Sequence, residues 1–297
     1  MGKQAKPSRA HAGRGSLLII GGGEDREDGK DILTRFVELS GGADKKLVVI
    51  TAASTVPDEM WEVYDKAFGD LGVERRSPLH VPGRGEANDA ELVRTLDDAD
   101  GIFMTGGDQK RLLGVLGGTL VEAALHAALE RGACIAGTSA GASAMTAHML
   151  ADSDVELTPE KGAISLGAGF ALLIHVVIDQ HFSQRHRLSR LLTVVAQNPR
   201  LQGIGIDEDT ALVVQHGVGV EVIGAGMVTF LDGRHIISNI DEIRLGKTPE
   251  MVDVRLHLLP SGSRYLLRAP EAEAGVSHII DGKTAPAPLQ EFLQNMV

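Results

Sequence analysis

The sequence predicts an α/β protein with a doubly wound, mostly parallel sheet and a C-terminal antiparallel β extension. Short apolar runs, each closed by a glycine or another small residue, alternate with segments of helical character. The apolar runs are 17–20, 47–50, 102–104 and 133–136, and the helical segments are 58–71, 89–96 and 120–131. This alternation is typical of parallel strands covered by helices on both faces, with ligands bound beyond their carboxyl ends.

After about residue 200 the pattern changes to short strands joined by tight turns. Strands are predicted over 211–215, 220–223, 227–231 and 254–259, with hairpin-type turns at 224–226 and 232–233. Because no Pro- or Ser-rich linker marks a boundary, we expect an extension from about residue 211 that packs on the same core. Residues 15–297 should then form one catalytic domain, with a disordered tail over 1–14 and a loosely held stretch beyond about 271.

Composition narrows the classes of function. The chain has 297 residues and a formal net charge of −11, which argues against nucleic-acid binding because that requires a basic surface. Cys134 is the single cysteine, so neither a disulfide within the chain nor a thiolate metal cluster is expected. No apolar stretch is long enough for a signal peptide or a membrane span, so we expect a cytoplasmic protein with no metal, cofactor or membrane partner.

A candidate nucleophile follows the fourth apolar run. The sequence GTSAG at 137–141 fits G-x-S-x-G, with Ser139 between a buried strand and a helix predicted to start near Ala140. Tiny neighbours let such a turn close and leave the hydroxyl exposed, and the helix behind it presents backbone N–H groups to a developing oxyanion. A structural turn of small residues is the alternative, but the strand–turn–helix context favours a nucleophile.

Among the 11 histidines, His181 has the most suggestive surroundings. It follows a predicted strand over 176–178, and a helix is predicted to begin after it with Ser183 as the N-cap. If that strand is parallel, His181 lies on the same rim as Ser139 and could act as its base. A capping or surface histidine is the alternative.

Two further groups of charged residues lie near this loop in the sequence. Arg185 falls in the first turn of the predicted helix, where the helix dipole disfavours a cation, and Arg187 and Arg190 share one flank. They could bind anions, or simply pair with acids at the surface. The strand over 203–206 ends in the acidic triplet 207–209, one member of which could orient the histidine. A solvated turn is the alternative for the triplet.

These blocks, in this order, resemble the bacterial cyanophycinases from about residue 17 to residue 267. The blocks are TGGDQ, GTSAGA, DQHFSQRHRLSR and GIDEDTA, starting at positions 105, 137, 179 and 205. The third is the specific one, whereas GTSAGA is shared with aspartyl dipeptidases and other relatives that resemble class I glutamine amidotransferases in fold. The resemblance implies a dimeric serine exopeptidase that cuts cyanophycin, a poly-aspartate with arginine on each β-carboxyl, into β-aspartyl-arginine dipeptides.

The resemblance also implies roles for particular residues. Ser139 would be the nucleophile, His181 the base and Glu208 the carboxylate that orients it. The backbone N–H groups of Gly107 and Ala140 would form the oxyanion hole. The residues implied to line the substrate pocket are Gln109, Asp179, Gln180, Arg185, Arg187 and Arg190.

Three other interpretations compete with this one. An α-aspartyl dipeptidase-like serine peptidase would need fewer basic residues after His181, and a non-catalytic ligand-binding protein would not need the Ser, His and Glu positions. A nucleotide-binding oxidoreductase is poorly supported, because the loop GGGEDRED at 21–28 lacks the third glycine of G-x-G-x-x-G. The four acids of that loop would repel phosphates, but they could meet a substrate guanidinium or form a solvated helix start.

Overall fold

The computed structural model describes residues 14–153, 157–267, 282–294 and 296. Apart from Arg14, the predicted disordered tail therefore lies outside the described residues. The strands are β1 (Ser16–Ile20), β2 (Leu47–Ile50), β3 (Arg76–Leu79), β4 (Gly101–Met104), β5 (Cys134–Thr138), β6 (His148–Ser153), β7 (Ile164–Ala168), β8 (Val176–Asp179), β9 (Gln202–Ile206), β10 (Thr210–Gln215), β11 (Gly219–Gly224), β12 (Met227–Asp232), β13 (Ile237–Ser238), β14 (Met251–Val252), β15 (Arg255–Pro260), β16 (Arg264–Leu266) and β17 (Lys283–Thr284). The helices are α1 (Asp31–Leu39), α2 (Pro57–Asp70), α3 (Ala90–Val93), α4 (Gln109–Leu116), α5 (Leu120–Glu130), α6 (Ala140–Ser143), α7 (Leu188–Gln197) and α8 (Ala287–Leu293).

A large central sheet confirms the predicted α/β class. Within the described residues it has nine strands in the order β17-β16-β11-β10-β1-β5-β4-β2-β3. Five neighbouring strands of this sheet, β1, β5, β4, β2 and β3, run parallel to one another. Strand β10 pairs with β1 antiparallel, with Ile20 opposite Ala211. The predicted antiparallel extension therefore begins where the sequence pattern changes.

Both faces of this sheet are buried, as the continuous apolar runs predict. Leu18 and Ile20 of β1 pack in a cluster with side chains of α1 and α2, whereas Leu17 and Ile19 pack in a second cluster with α4 and α5. Phe230 of β12 belongs to this second cluster, so another layer of strands covers part of that face. Helices on both faces make the sheet doubly wound.

This other layer is a four-stranded sheet in the order β15-β12-β9-β8. The strand before His181, β8, is parallel to β9, but both strands belong to this second sheet and not to the central one. His181 still reaches the rim of the central sheet, since its N–H donates to the carbonyl of Gly21, directly after β1, at 2.8 Å. The chain passes from one sheet to the other between β9 and β10, through residues 207–209.

The C-terminal segment differs from its prediction. Leu289, Phe292 and Leu293 of α8 are buried, and the rings of Phe230 and Phe292 pack edge to face with centroids 5.0 Å apart. The expectation of a loosely held end is therefore wrong for residues 282–294, because α8 carries an apolar face that the core accepts. Residues 271–281 of that prediction lie outside the described residues.

In the described part of the chain, no single helix is long and apolar enough to cross a bilayer. The helices α4 and α5 meet the criteria of length and composition only as a pair, and that pair is bent by 96° at the break between them.

Candidate active site

Ser139 occupies a strained turn at the carboxyl end of β5. Its φ of 50° and ψ of −107° are unusual for a residue with a side chain, and such strain persists only where the surroundings enforce it. The Ser139 N–H donates to the Ile20 carbonyl at 3.0 Å. A Cβ atom on Gly137 or on Gly141 would lie 2.5 Å from a backbone carbonyl oxygen, so the turn closes only with glycine at both positions.

The structure brings Ser139, His181 and Glu208 into direct contact. The Ser139 hydroxyl lies 3.0 Å from Nε2 of His181, and Nδ1 of the same ring lies 2.6 Å from a carboxylate oxygen of Glu208. Because a carboxylate can only accept, Nδ1 carries the hydrogen and donates it in a hydrogen bond to Glu208, which leaves Nε2 with a lone pair toward the serine hydroxyl. This is the tautomer that a general base for Ser139 requires.

The acidic triplet, whose members the sequence pattern alone could not distinguish, divides into three separate tasks. Glu208 contacts the imidazole. The Asp207 carboxylate accepts the backbone N–H groups of Ser183 at 3.1 Å and Met227 at 3.2 Å. Asp209 accepts the N–H of Asp25 at 3.0 Å. Asp207 and Asp209 thus accept backbone N–H groups of neighbouring segments, and within the triplet it is Glu208 that contacts His181.

Burial lowers the pKa of His181 below its ordinary value of 6.5. The positive charges of Arg185 and Arg187 act in the same direction, and Glu208 opposes them. The ring is therefore neutral at pH 7 and able to accept a proton. Glycine at position 22 allows the imidazole to lie here, because a Cβ atom on Gly22 would be 2.4 Å from Cε1 of His181. The glycine run directly after β1 was the sequence signal for this close approach, which was not predicted.

Removing the positive charge of Arg185 is expected to shift the acid limb of Ser139 reactivity to higher pH. Without that cation the imidazolium is less disfavoured, so the pKa of His181 rises and deprotonation needs a higher pH. The measurement is the rate of labelling by a fluorophosphonate as a function of pH in Arg185→Gln. The matched control is Arg200→Gln, since Arg200 is exposed beyond the end of α7. An unchanged midpoint in Arg185→Gln, or an equal shift in the control, would contradict the prediction.

The loop 105–109 lies beside Ser139. A Cβ atom on Gly106 would lie 3.5 Å from that of Ser139. Gly107 adopts a φ of 143° and packs so closely that a Cβ atom would lie 2.2 Å from the Ala53 carbonyl oxygen. Within the described residues, the backbone N–H groups of Gly107 and Ala140 donate to no protein acceptor. Both remain available to an oxygen atom of a substrate.

The helix after His181 begins later than predicted. It starts at Leu188, and Arg187 rather than Ser183 is its N-cap. The prediction of a Ser183 cap is wrong because His186 has a left-handed backbone, with a φ of 51°, which a right-handed helix starting after Ser183 could not include. Arg185 therefore lies in a turn and not against a helix N-terminus.

The residues expected to line a substrate pocket separate into buried and exposed ones. Asp179 has no exposed side-chain surface, and its carboxylate pairs with Arg190, whose Nε lies 2.6 Å from one oxygen, and with Arg187 at 3.2 Å. The Arg187 guanidinium also donates to the buried Gln180 side chain at 3.0 Å. Asp179 can thus act on a ligand only through the two arginines that it holds.

Arg185 is exposed, and among the described residues no carboxylate pairs with it. It is the guanidinium of this segment that is ready to bind an anion without first breaking an ion pair. Gln109 lies at the start of α4, next to the 105–109 loop, and its side-chain amide donates to the Leu150 carbonyl at 3.3 Å. This bond leaves the side-chain oxygen of Gln109 available to a donor.

The acidic loop 21–28 is folded by its own carboxylates. Asp25 accepts four backbone N–H groups, those of residues 27–30, which lower its pKa, that of Asp28 most strongly. Glu24 is buried against Thr138 and Tyr64 and does not face solvent. Of the four acids, only Glu27 and Asp28 are exposed, so the expectation that all four could meet a guanidinium is wrong for Glu24.

Across the residues described, no three His, Cys, Asp or Glu side chains cluster in a way that could hold a metal ion. The three contacting side chains of the site are instead an alcohol, an imidazole and a carboxylate. Placed beyond the carboxyl ends of a parallel sheet, they define a hydrolase of the serine-nucleophile class.

The comparisons with known proteins give the family. The chain belongs to peptidase family S51, whose profile matches residues 17–222, and it is a peptidase. It is 36% identical over 265 residues to a cyanophycinase of Geminocystis herdmanii, covering 89% of this chain and 97% of the relative. It is 35% identical over 272 residues to a cyanophycinase of Synechococcus elongatus, covering 91% and 84%. A crystal structure of a peptidase from an acI-B1 Actinobacterium superposes with a TM-score of 0.63 at 25% identity, covering 75% of this chain and 93% of the other.

Proposed function

We propose that this protein is a serine exopeptidase that hydrolyses cyanophycin to β-aspartyl-arginine dipeptides through an acyl-enzyme. The observation that carries the proposal is the Ser139–His181–Glu208 contact beside the unpaired guanidinium of Arg185. The cyanophycinases among the relatives support the choice of substrate. Family membership supports the reaction class.

The reaction follows from the contacts. Ser139 attacks a backbone amide carbonyl near the end of the polymer while Nε2 of His181 takes the hydroxyl proton. Glu208 stabilises the imidazolium that forms. The N–H groups of Gly107 and Ala140 bind the oxyanion, and His181 then protonates the leaving amine. Water, deprotonated by the same imidazole, releases the acyl group and restores the serine.

The charges around Ser139 suit a substrate that carries both signs. The free carboxylate at the end of a poly-aspartate chain needs guanidinium groups, and Arg185 is available for it. The Asp179-held pair, Arg187 and Arg190, lies nearby in the same segment and adds positive potential. The exposed Glu27 and Asp28 can attract the arginine side chains of the polymer.

Incubation with purified cyanophycin is expected to yield β-aspartyl-arginine, identified by its mass. In Arg185→Gln we expect kcat/KM to fall about 10- to 100-fold, which corresponds to the loss of one charge-assisted hydrogen bond of about 1.5–3 kcal/mol. Arg200→Gln is the control and should match the parent. Cleavage of Asp-X dipeptides without cleavage of cyanophycin would instead establish an α-aspartyl dipeptidase-like peptidase. Binding of cyanophycin without any turnover would indicate a ligand-binding protein.

We further propose that the protein acts in the cytoplasm as a homodimer and uses neither nucleic acid nor a membrane as a partner. A net charge of −11 supports the absence of a nucleic-acid partner, and a buried thiol at Cys134 suits a reducing compartment. The proposal of a dimer rests on the resemblance to the cyanophycinases. Light scattering on the purified protein measures its mass, and a monomer would refute the dimer.

A further inference from the structure

A buried carboxylate lies behind the nucleophile turn. Glu24 is 3% exposed, and it lies in the loop between β1 and α1. One of its oxygens accepts the hydroxyl of Thr138 at 2.5 Å, and the other accepts the hydroxyl of Tyr64. Thr138 is the last residue of β5 and directly precedes Ser139. The carboxylate therefore joins the first loop and α2 to the residue next to the nucleophile.

This carboxylate lies in an unusually costly place for a purely structural group. Among the described residues no lysine or arginine forms an ion pair with Glu24, and both groups that it binds are neutral hydroxyls. Burying a carboxylate costs several kcal/mol, and apolar side chains of similar volume often stabilise a fold as well or better. The presence of Glu24 at this position is better explained by the geometry that its carboxylate imposes than by the stability that it adds.

Tyr64 is suited to act as the fixed end of the network. Burial, together with the charge of Glu24, raises the pKa of Tyr64 well above its ordinary value, although the nearby charge of Arg26 opposes this effect. The phenol therefore stays protonated and donates a hydrogen bond to the carboxylate. Its ring packs among aromatic neighbours, with centroids 4.7 Å from Phe103 and 6.1 Å from Phe68. Tyr64 thus holds one oxygen of the Glu24 carboxylate from the core, and the other oxygen binds the hydroxyl of Thr138.

The same loop also touches the base. Gly22 lies against the His181 ring, and the Gly21 carbonyl accepts the N–H of His181 at 2.8 Å. Two residues further along, Glu24 holds Thr138. The segment 20–24 therefore contacts His181 directly, and it holds the Ser139 turn through the Ile20 carbonyl, which accepts the Ser139 N–H, and through Glu24, which binds Thr138.

We propose that Glu24 is a positioning residue for the nucleophile, and that its bond to the Thr138 hydroxyl sets the turn that presents Ser139 to His181. The proposal rests on the proposed role of Ser139. A strained residue needs restraints on its flanks, and here the Ser139 N–H is held by Ile20 while the Thr138 side chain is held by Glu24. A small displacement of a nucleophile from its base costs about 100-fold in rate, so a restraint of this kind has a measurable effect.

The test compares two replacements of Thr138. Thr138→Val keeps the shape and removes the hydroxyl, whereas Thr138→Ser keeps the hydroxyl. We expect Thr138→Val to lower kcat about 10- to 100-fold with KM nearly unchanged, and to lower the rate of fluorophosphonate labelling in proportion. Thr138→Ser should stay within about threefold of the parent, since a lost methyl group alone does not disturb the restraint.

A double-mutant cycle assigns the effect to the carboxylate. Glu24→Gln should lower kcat, and the double variant with Thr138→Val should be hardly worse than Thr138→Val alone. The control is Glu221→Gln. Glu221 is another buried carboxylate, which lies on β11 and pairs with Arg35 and Arg264. That variant should lose stability but keep the labelling rate. If Glu24→Gln does not fold, the Thr138 pair still decides the proposal.

The outcomes separate this proposal from the proposed function. Labelling does not depend on cyanophycin, so a parent that is labelled but does not cleave the polymer refutes the substrate and leaves the Thr138 comparison valid. A folded Thr138→Val with parental kcat and labelling overturns the proposal, as does a Thr138→Ser variant that is equally impaired. A parent that is not labelled at Ser139 overturns it together with the nucleophile assignment.

Discussion

Ser139→Ala is expected to abolish turnover of cyanophycin while the protein keeps its fold. Without the hydroxyl no acyl-enzyme can form, and loss of a serine nucleophile in a comparable constellation costs on the order of a million-fold in kcat. The fold should persist because alanine keeps the Cβ atom and adds no strain to the turn, whose φ of 50° already accommodates a side chain. The measurements are kcat and the midpoint of thermal unfolding.

The matched control for this variant is Ser143→Ala. Ser143 is a buried serine at the end of the same short helix, four residues after Ser139. Its replacement should leave kcat close to that of the parent. Substantial turnover in Ser139→Ala, or an equal loss in the two variants, would show that Ser139 is not the nucleophile.

Asp179→Ala is expected to produce the largest loss of stability, about 3–5 kcal/mol in the free energy of unfolding. Removing one partner of a buried ion pair leaves uncompensated charge, and here the side chains of Arg187 and Arg190 are only 12% and 17% exposed. Burial and the neighbouring arginines already lower the pKa of Arg187 to about 10, and Asp179 counteracts this effect. Chemical denaturation with a two-state fit measures the change.

The control for this prediction is Asp232→Ala. Asp232, the last residue of β12, is also 1% exposed, and among the described residues it forms an ion pair with one arginine, Arg234. Both variants should be less stable than the parent, but Asp179→Ala should also raise KM, because the arginines that it holds lie in the segment after His181. An Asp179→Ala variant with parental stability and KM would show that the ion pairs of Asp179 with Arg187 and Arg190 contribute neither to the fold nor to substrate binding.

The three residues of the candidate site come from two different sheets, and backbone hydrogen bonds at the end of β1 connect Ser139 with His181. Ser139 follows a strand of the central sheet, whereas His181 follows β8 and Glu208 follows β9 of the second sheet. The N–H groups of Ser139 and His181 donate to consecutive carbonyls, those of Ile20 and Gly21. The end of β1 is thus the common reference for nucleophile and base.

The strands and the position of the candidate nucleophile were predictable because their signals are local. The apolar runs and the turn residues around β1, β5 and β10 gave bounds that the structure reproduces within one or two residues. The motif at 137–141 was informative because close backbone packing tolerates only glycine at its two ends. The cap at Ser183 was mispredicted, since the left-handed backbone of His186 has no clear sequence signal.

Residue types and spacing sufficed to predict the α/β class and to propose Ser139 as the nucleophile and the acidic triplet as a source of the third side chain, because each depends on neighbours within a few positions of the chain. Only the folded chain decided that β8 leaves the central sheet, that Glu208 rather than Asp207 or Asp209 meets His181, and that Asp179 is hidden behind its arginines. It also turned Glu24 from a loop acid into a buried contact of Thr138. These facts depend on contacts between separate segments of the chain, up to the 114 residues between Glu24 and Thr138, or on which of several similar side chains points inward, and packing decides both.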